Sequence, residues 1–367
     1  MKILCVIDNL GSGGSQRQLV ELALCLKKAK HDVSFLVYHE LNFFKYLLDL
    51  ENIIVCTIKE SNYIKRILKI RKSIRHGNYD AILSFLEAPN FICEISAIPS
   101  RKWKLVVSER SAKPIILKSL RLISFRWFHL LADSVVTNSY VNLRIIKKVN
   151  PLISNSKCSV IYNIVDVNFF KPSTDYSPRI NGKINIIVIA SHQYLKNLNG
   201  LIEALSLLNE AQRNFISIEW YGDKVTEPFL NDSFPKAVQK IKSLKLDSLI
   251  NFFPATNEIN TKIQNADVLG LFSFYEGLPN TVCEGMSCGK PILCSRISDL
   301  PSILSHQKEL LFNPNDFKSI YSSILYLIQL TDKELEHIGL TNLKIAQKEF
   351  NKDIITNKYI NLLSRNI

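Results

Sequence analysis

The stretch KINIIVIASHQYLKNLNGLIEAL (183–205) decides the architecture, because it restarts a pattern the chain has already run through once. KINIIVIA (183–190) is a short apolar run behind a glycine, which predicts a strand buried on both faces, and Asn197 to Leu208 predicts the helix that follows. Downstream, SIEWYG (217–222), LINFF (249–253), DVLGLF (267–272) and PILCS (291–295) predict further strands, with a helix from Thr281 to Cys288. Upstream, the first cycle opens with KILCVI (2–7) and a helix over 16–28 that carries Leu19, Val20, Ala23, Leu24 and Leu26 at helical spacing. DVSFLVY (32–38), AILSFL (81–86), KLVVSE (104–109) and SVVTNS (134–139) continue it. Strands alternating with helices predict α/β domains, each a parallel sheet covered on both faces. The join, VNFFKPSTDYSPRINGK (167–183), has the Pro and Gly of a connector, so the expected domains are 1–175 and 176–349. The tail FNKDIITNKYINLLSRNI (350–367) predicts an amphipathic helix with Phe350, Ile354, Tyr359 and Leu362 on the stripe that packs back on the first domain. Two such open sheets, with ligand crevices at the carboxyl ends of their strands, are expected to face each other across a cleft.

A chain of 367 residues, 47% hydrophobic and 22% charged, fits two soluble domains. Its eight cysteines form no C-x-x-C pair and most sit in apolar runs, as reduced thiols do; a zinc site on Cys283, Cys288 and Cys294 lacks a ligand-spaced histidine pair. No segment has the roughly 18 apolar residues of a membrane span. The opening MKILCVIDNLGSGG is too short an apolar run for a signal peptide, so a cytoplasmic location is expected. Residues 1–170 carry 25 Lys and Arg against 13 Asp and Glu, and the remainder 21 against 20. A basic half beside a neutral half points to an anionic partner for the first domain.

The densest motif is FYEGLPNTVCEGMSCGKPILCS (274–295). Glu276 falls in a turn after a strand, marked by Gly277 and Pro279, and Glu284 in the start of the next helix. A helix start offers N–H groups and partial positive charge to a diphosphate, and carboxylates beside it can accept hydroxyls from a sugar and a ribose. On spacing alone, Glu284 could equally be there for the helix dipole.

The string S-x-Y-E-G-L-P-N-T-V-x-E-x-M-x-C-G-K-P resembles the donor-binding segment of the retaining glycosyltransferases of family four, which have the GT-B fold of two Rossmann-like domains. Gly285 and Ser287 stand where alanines are usual. GSGGSQRQLVELA (11–23) resembles the family's first glycine-rich loop, VIYNIVDVNFF (160–170) its exit from the first domain, and ASHQYLKNLNGLIEAL (190–205) its lysine-bearing loop. The resemblance implies donor contacts from Gly13, Gly14, Ser191, Lys196, Asn197, Glu276, Gly277, Leu278, Pro279, Asn280, Thr281, Val282 and Glu284. It places Lys196 and the amides near Asn280–Val282 on the diphosphate, Glu276 on sugar hydroxyls and Glu284 on ribose. The arginine usual beside the lysine is replaced by Ser191, so His192 or Arg110 is the expected second cation.

The resemblance implies transfer of a sugar from a nucleotide-diphosphate-sugar, UDP- or GDP-linked, with retention of configuration. The acceptor it implies is a glycan, typically lipid-linked and part of bacterial surface polysaccharide. No D-x-D stretch stands in a suitable place, so no metal and no further cofactor are expected. Rival readings are a GT-B epimerase or phosphorylase, and a non-catalytic binder of nucleotide sugars or nucleic acid; the basic half shows no nucleic-acid module. YIKRILKIRKSIR (63–75), RKWK (101–104) and KSLRLISFRWF (118–128) mix cations with apolar side chains as interfacial helices do. Lys65, Arg66, Lys69, Lys72, Trp103 and Arg126 are thus expected to meet acceptor or an anionic membrane, with the protein peripheral on the inner face of the plasma membrane.

Overall fold

In the computed structural model, every residue is described except 175, 177, 180, 181, 224–233 and 365–367, so parts of the expected connector and tail lie outside the described residues. The chain divides into two compact units, Met1–Ile164 with Phe350–Ile367, and Val165–Glu349.

The first unit is built on a parallel sheet of β1 (Lys2–Val6), β2 (Asp32–Val37), β3 (Ile54–Thr57), β4 (Ala81–Phe85), β5 (Lys104–Glu109), β6 (Ser134–Thr137) and β7 (Cys158–Val160), in the order β3-β2-β1-β4-β5-β6-β7. The second has β8 (Ile184–Ile189), β9 (Ile216–Tyr221), β10 (Ile250–Phe253), β11 (Val268–Leu271), β12 (Ile292–Ser295) and β13 (Leu311–Phe312), in the order β10-β9-β8-β11-β12-β13. Every strand pairing is parallel, and the central strands are buried along almost their whole length, which is why they read as unbroken apolar runs. In each sheet the strand order reverses once, between β1 and β4 and between β8 and β11. Such a reversal opens a crevice at the carboxyl ends of the two flanking strands.

The boundary lies at Ile164 rather than near residue 175. Ile161 and Ile164 are buried in the core of the first unit, and Gln18 clamps Ile164 from both sides: its Nε2 donates to the carbonyl (2.9 Å) and its Oε1 accepts from the amide (2.7 Å). Proline and glycine mark where regular structure breaks, and contacts change partners eleven residues earlier.

The helix Lys352–Leu363 packs on the helix Gly14–Lys28 within the first unit. Its buried stripe is Ile355, Tyr359 and Leu363, at i, i+4 spacing, with Phe350 buried ahead of it. Ile354, expected on that stripe, is 44% exposed.

The first unit also buries a charged cluster. Arg126 Nη2 lies 2.5 Å from Glu109 Oε2 and 3.6 Å from Glu87 Oε1. His129 Nδ1 lies 2.6 Å from Glu94 Oε1, and its Nε2 3.3 Å from Glu109 Oε1. Burial alone would lower the proton affinity of His129, but the two carboxylates carry its pKa from 6.5 up to about 9. A folded-state value above the unfolded one stabilises fully below pH 6.5, and that contribution is lost as the pH rises through about 9. Urea unfolding should therefore show wild-type stability falling between pH 7 and pH 10, with His129→Gln lacking that component of the fall.

Candidate active site

The crevice of the second unit is walled by the loops that follow β8 and β11. After β8 come Ser191 and His192, then a single 3-10 turn, Tyr194–Lys196. After β11 come Phe274 and Glu276, and then the helix Asn280–Ser287. The two loops are tied together: Phe274 N–H donates to the Leu195 carbonyl (3.0 Å), and the Tyr194 and Phe274 rings lie 5.2 Å apart. That tie brings Lys196 Nζ within 2.6 Å of Glu276 Oε1, with the two side chains 22% and 19% exposed. A cation and a carboxylate 80 positions apart in sequence thus meet at the reversal of strand order.

Pro279 precedes the helix Asn280–Ser287 as its N-cap, with no side-chain hydrogen bond to the first turn. Amide groups of Asn280, Thr281 and Val282 form that turn, the part of a helix that favours an anion. Gly277 is fixed from below, where Ser298 Oγ donates to its carbonyl, and Leu278 is buried. Glu284 lies one turn into the helix and is only 3% exposed. Gly285 has a packing reason: a Cβ there would stand 2.8 Å from Leu269 Cδ1, so glycine lets the helix approach β11 more closely than alanine would.

Asn197, an expected donor contact, and His192, a candidate second cation, have partners inside the fold. Asn197, at φ +57°, caps the helix Leu198–Ser206 by accepting from Gly200 N–H (3.2 Å), and its Nδ2 donates to the Pro314 carbonyl (2.9 Å). Both ends of its side chain are used inside the fold. His192, 3% exposed, stacks on Phe234 with ring centroids 4.3 Å apart and meets Phe252 edge-on, so its ring belongs to an aromatic cluster.

Arg110, Gly13 and Gly14 lie in the first unit. Arg110 is 8% exposed; its Nη2 donates to Asn163 Oδ1 (2.9 Å), and its guanidinium sits 4.7 Å from the Phe85 ring centroid. Burial lowers its proton affinity, and Tyr359 works against that. Gly13 caps the helix Gly14–Lys28 with extended backbone, so it is not needed for a left-handed angle. A Cβ there would meet Gln16 Oε1 at 2.3 Å, and the same Gln16 side chain donates to Asp8 Oδ1 (3.1 Å). Asp8 drew no attention in the sequence, where a lone aspartate after a strand carries no signal.

The basic surface differs from its expected composition. Lys65, Lys69 and Lys72 are exposed on the helix Tyr63–His76, beside Ile64 (69%) and Leu68 (58%). Arg66 donates to the Glu60 carbonyl (2.9 Å). Trp103 and Arg126, however, do not belong to that surface. Trp103 packs in the core beneath the same helix with Ile70 and Ile74, and Arg126 is fully buried because its partner Glu109 is inside, with the half-buried Glu87 further off. In their place the structure exposes Leu120 (83%) and brings Arg121 within 6.0 Å of the Tyr63 ring, so the start of the helix Leu120–Trp127 extends the patch.

The sequence model "Glycosyl transferases group 1" matches residues 173–339, and "Glycosyltransferase Family 4" matches residues 12–169. The chain belongs to the family-four glycosyltransferases. Among the relatives of this glycosyltransferase is a Campylobacter jejuni enzyme, GalNAc-alpha-(1->4)-GalNAc-alpha-(1->3)-diNAcBac-PP-undecaprenol alpha-1,4-N-acetyl-D-galactosaminyltransferase. It is 26% identical over 302 residues, which covers 78% of this chain and 77% of the relative. A second C. jejuni enzyme, N-acetylgalactosamine-N,N'-diacetylbacillosaminyl-diphospho-undecaprenol 4-alpha-N-acetylgalactosaminyltransferase, is 23% identical over 309 residues, 80% of each chain. The fold of this glycosyltransferase matches the crystal structure of Anabaena Alr3699/HepE in complex with UDP, at a TM-score of 0.85 and 19% identity over 99% of each chain. The GT-B fold expected from the sequence is therefore present. Among the described residues no group of three or more His, Cys, Asp or Glu side chains could hold a metal ion, and no helix is long and apolar enough to cross a membrane.

Proposed function

We propose that this glycosyltransferase moves an N-acetylhexosamine from a UDP-linked donor, with retention, onto a hydroxyl of a glycan carried on a polyprenyl diphosphate. The observation that carries the chemistry is the Lys196–Glu276 pair at 2.6 Å, beside a helix start at the strand-order reversal. The donor and acceptor classes are supported by the two C. jejuni relatives, named for N-acetylgalactosaminyl transfer to undecaprenyl-diphosphate glycans.

On this reading the donor's diphosphate takes Lys196 and the amides of Asn280–Val282. Glu276 turns to hydroxyls of the transferred sugar, and Glu284 accepts from ribose. The bond between the sugar's C1 and the diphosphate oxygen breaks while the acceptor oxygen bonds C1 on the same face, and the acceptor proton passes to the departing diphosphate. Fixed positive charge on the leaving group is the main source of acceleration, because it is preorganised for the charge that develops there. A lysine and a helix start supply it without a metal. Transfer from UDP-N-acetylgalactosamine to an N-acetylgalactosaminyl-terminated polyprenyl diphosphate should thus persist in excess EDTA. Loss of transfer in EDTA that magnesium or manganese restores would contradict the metal-free clamp, and absence of transfer from every UDP-N-acetylhexosamine would contradict the donor.

We further propose that Lys65, Lys69 and Lys72, with Ile64, Leu68, Leu120 and Arg121, hold the enzyme on an anionic bilayer, where such an acceptor is anchored. Each cation near an anionic surface contributes about 1 kcal/mol, and the apolar side chains add interfacial burial. The attraction weakens with salt. The enzyme should sediment with phosphatidylglycerol vesicles at low salt and leave them at high salt, and Lys65→Glu/Lys69→Glu/Lys72→Glu should abolish sedimentation with an unchanged melting temperature. Indifference of the wild type to such vesicles at low salt would overturn the membrane reading.

A further inference from the structure

The second unit places its candidate diphosphate site where the strand order reverses, between β8 and β11. The first unit has the same reversal, between β1 and β4, and the loop after β1 leads through Gly13 into the helix Gly14–Lys28. Asp8 stands at the carboxyl end of β1. The β1–β4 register runs Ile3↔Ala81 to Val6↔Ser84, and two more residues bring Asp8 level with Leu86.

Both sides of this crevice carry features the fold alone does not ask for. Leu86 has φ +78° and ψ 159°, a conformation that residues with a Cβ rarely adopt and that persists only where the surroundings enforce it. The enforcement is visible. Leu86 N–H donates to the Ser108 carbonyl (3.1 Å), and Asn90 N–H donates to the Leu86 carbonyl (3.0 Å). The buried Asn90 side chain accepts from Ser84 Oγ (2.8 Å) and donates to Ser108 (3.0 Å). Opposite, the Asp8 carboxylate is half-buried and held at one oxygen: Oδ1 accepts from Asn9 N–H (2.8 Å) and from Gln16 Nε2 (3.1 Å). Burial raises its proton affinity, with Asn9, Gln16 and His39 working in the opposite direction. Among the described residues the Asn9 and Gln16 bonds both fall on Oδ1; Oδ2 of such a carboxylate can receive a hydroxyl, and a partly desolvated carboxylate makes a strong charge-assisted hydrogen bond.

We infer that Asp8 is a positioning residue for the acceptor: its Oδ2 accepts a hydrogen bond from a hydroxyl of the acceptor's terminal sugar, in the crevice between β1 and β4. The inference rests on the proposed transferase reaction and adds the acceptor's anchor to it.

The test compares wild type, Asp8→Asn, Asp8→Glu and Glu276→Gln, with UDP-N-acetylgalactosamine as donor and p-nitrophenyl α-N-acetylgalactosaminide as acceptor. Asn keeps an oxygen for Asn9 and Gln16 and removes the charge. Asp8→Asn should raise the acceptor KM or lower kcat/KM for acceptor by about 10- to 100-fold, while the melting-temperature rise caused by UDP stays as in the wild type. Asp8→Glu should recover part of the loss, which a purely structural role would not allow. Acceptor kcat/KM within about threefold of wild type in Asp8→Asn, or loss of the UDP-induced rise in that variant, would overturn the inference. A parent enzyme that transfers from no UDP-sugar, or a Glu276→Gln variant as active as the parent, instead refutes the donor-site reading.

Discussion

Lys196→Ala and Glu276→Ala should each lower kcat for transfer by about 10²- to 10³-fold, the scale of one lost electrostatic contact to a developing charge. Both should leave the melting temperature within roughly 2–4 °C of the parent. The two side chains form one ion pair about a fifth exposed, and pairs open to solvent contribute only about 0–1 kcal/mol to folding. The variants should differ in ground-state binding. Lys196→Ala removes the cation and weakens UDP. Glu276→Ala removes the carboxylate that competes for that cation, so UDP binds at least as well while transfer falls. Initial rates together with UDP titrations check both. A Glu276→Ala enzyme that transfers at the parent rate would remove this carboxylate from the reaction.

Truncation after Glu349 should yield a protein that does not fold its first unit. The deletion takes away Phe350, Ile355, Tyr359 and Leu363, each at most 2% exposed and all but Phe350 part of the core built on β1, β2 and β4. Burying a side chain of this size contributes about 1.5–3 kcal/mol. Losing four of them, and opening the face of the helix Gly14–Lys28 to water, removes an amount comparable with the roughly 5–15 kcal/mol that holds a domain together. The truncated chain should be insoluble on expression or melt without a cooperative transition for the first unit. A soluble truncated protein with the parent's melting curve would show that the tail helix is dispensable.

What was legible in the sequence was local. The strand, turn and helix around Glu276 and Glu284 lie within one short segment, so their order fixes their geometry, and Lys196 follows from an equally local motif. Central strands announce themselves because both faces are apolar. The edge strand β3 did not, since three of its four residues are exposed and the fourth is only partly buried, and β13 has only two residues. Side-chain direction on helices was the other loss. Arg126 looked like one more surface cation because nothing nearby in sequence reveals Glu109, 17 residues away, as its buried partner. Arg110 looked free to reach a ligand because Asn163, 53 residues on, is invisible to local reading. The tail stripe shifted by one residue for a related reason: Ile354 and Ile355 are equally apolar, and only packing against the helix Gly14–Lys28 selects the second.

On the proposed reading, Lys196 and the start of the helix Asn280–Ser287 hold the diphosphate of a UDP-sugar. UDP titrated into the metal-free wild-type enzyme, and into Lys196→Ala, reads this directly as a melting-temperature rise. The wild type should show a saturable rise, equivalent to about 2.7 kcal/mol when UDP reaches one hundred times its Kd, and the variant a rise shifted to at least tenfold higher UDP, about 1.4 kcal/mol of lost binding. No rise with UDP in the wild type, or the same titration curve for both proteins, would contradict it.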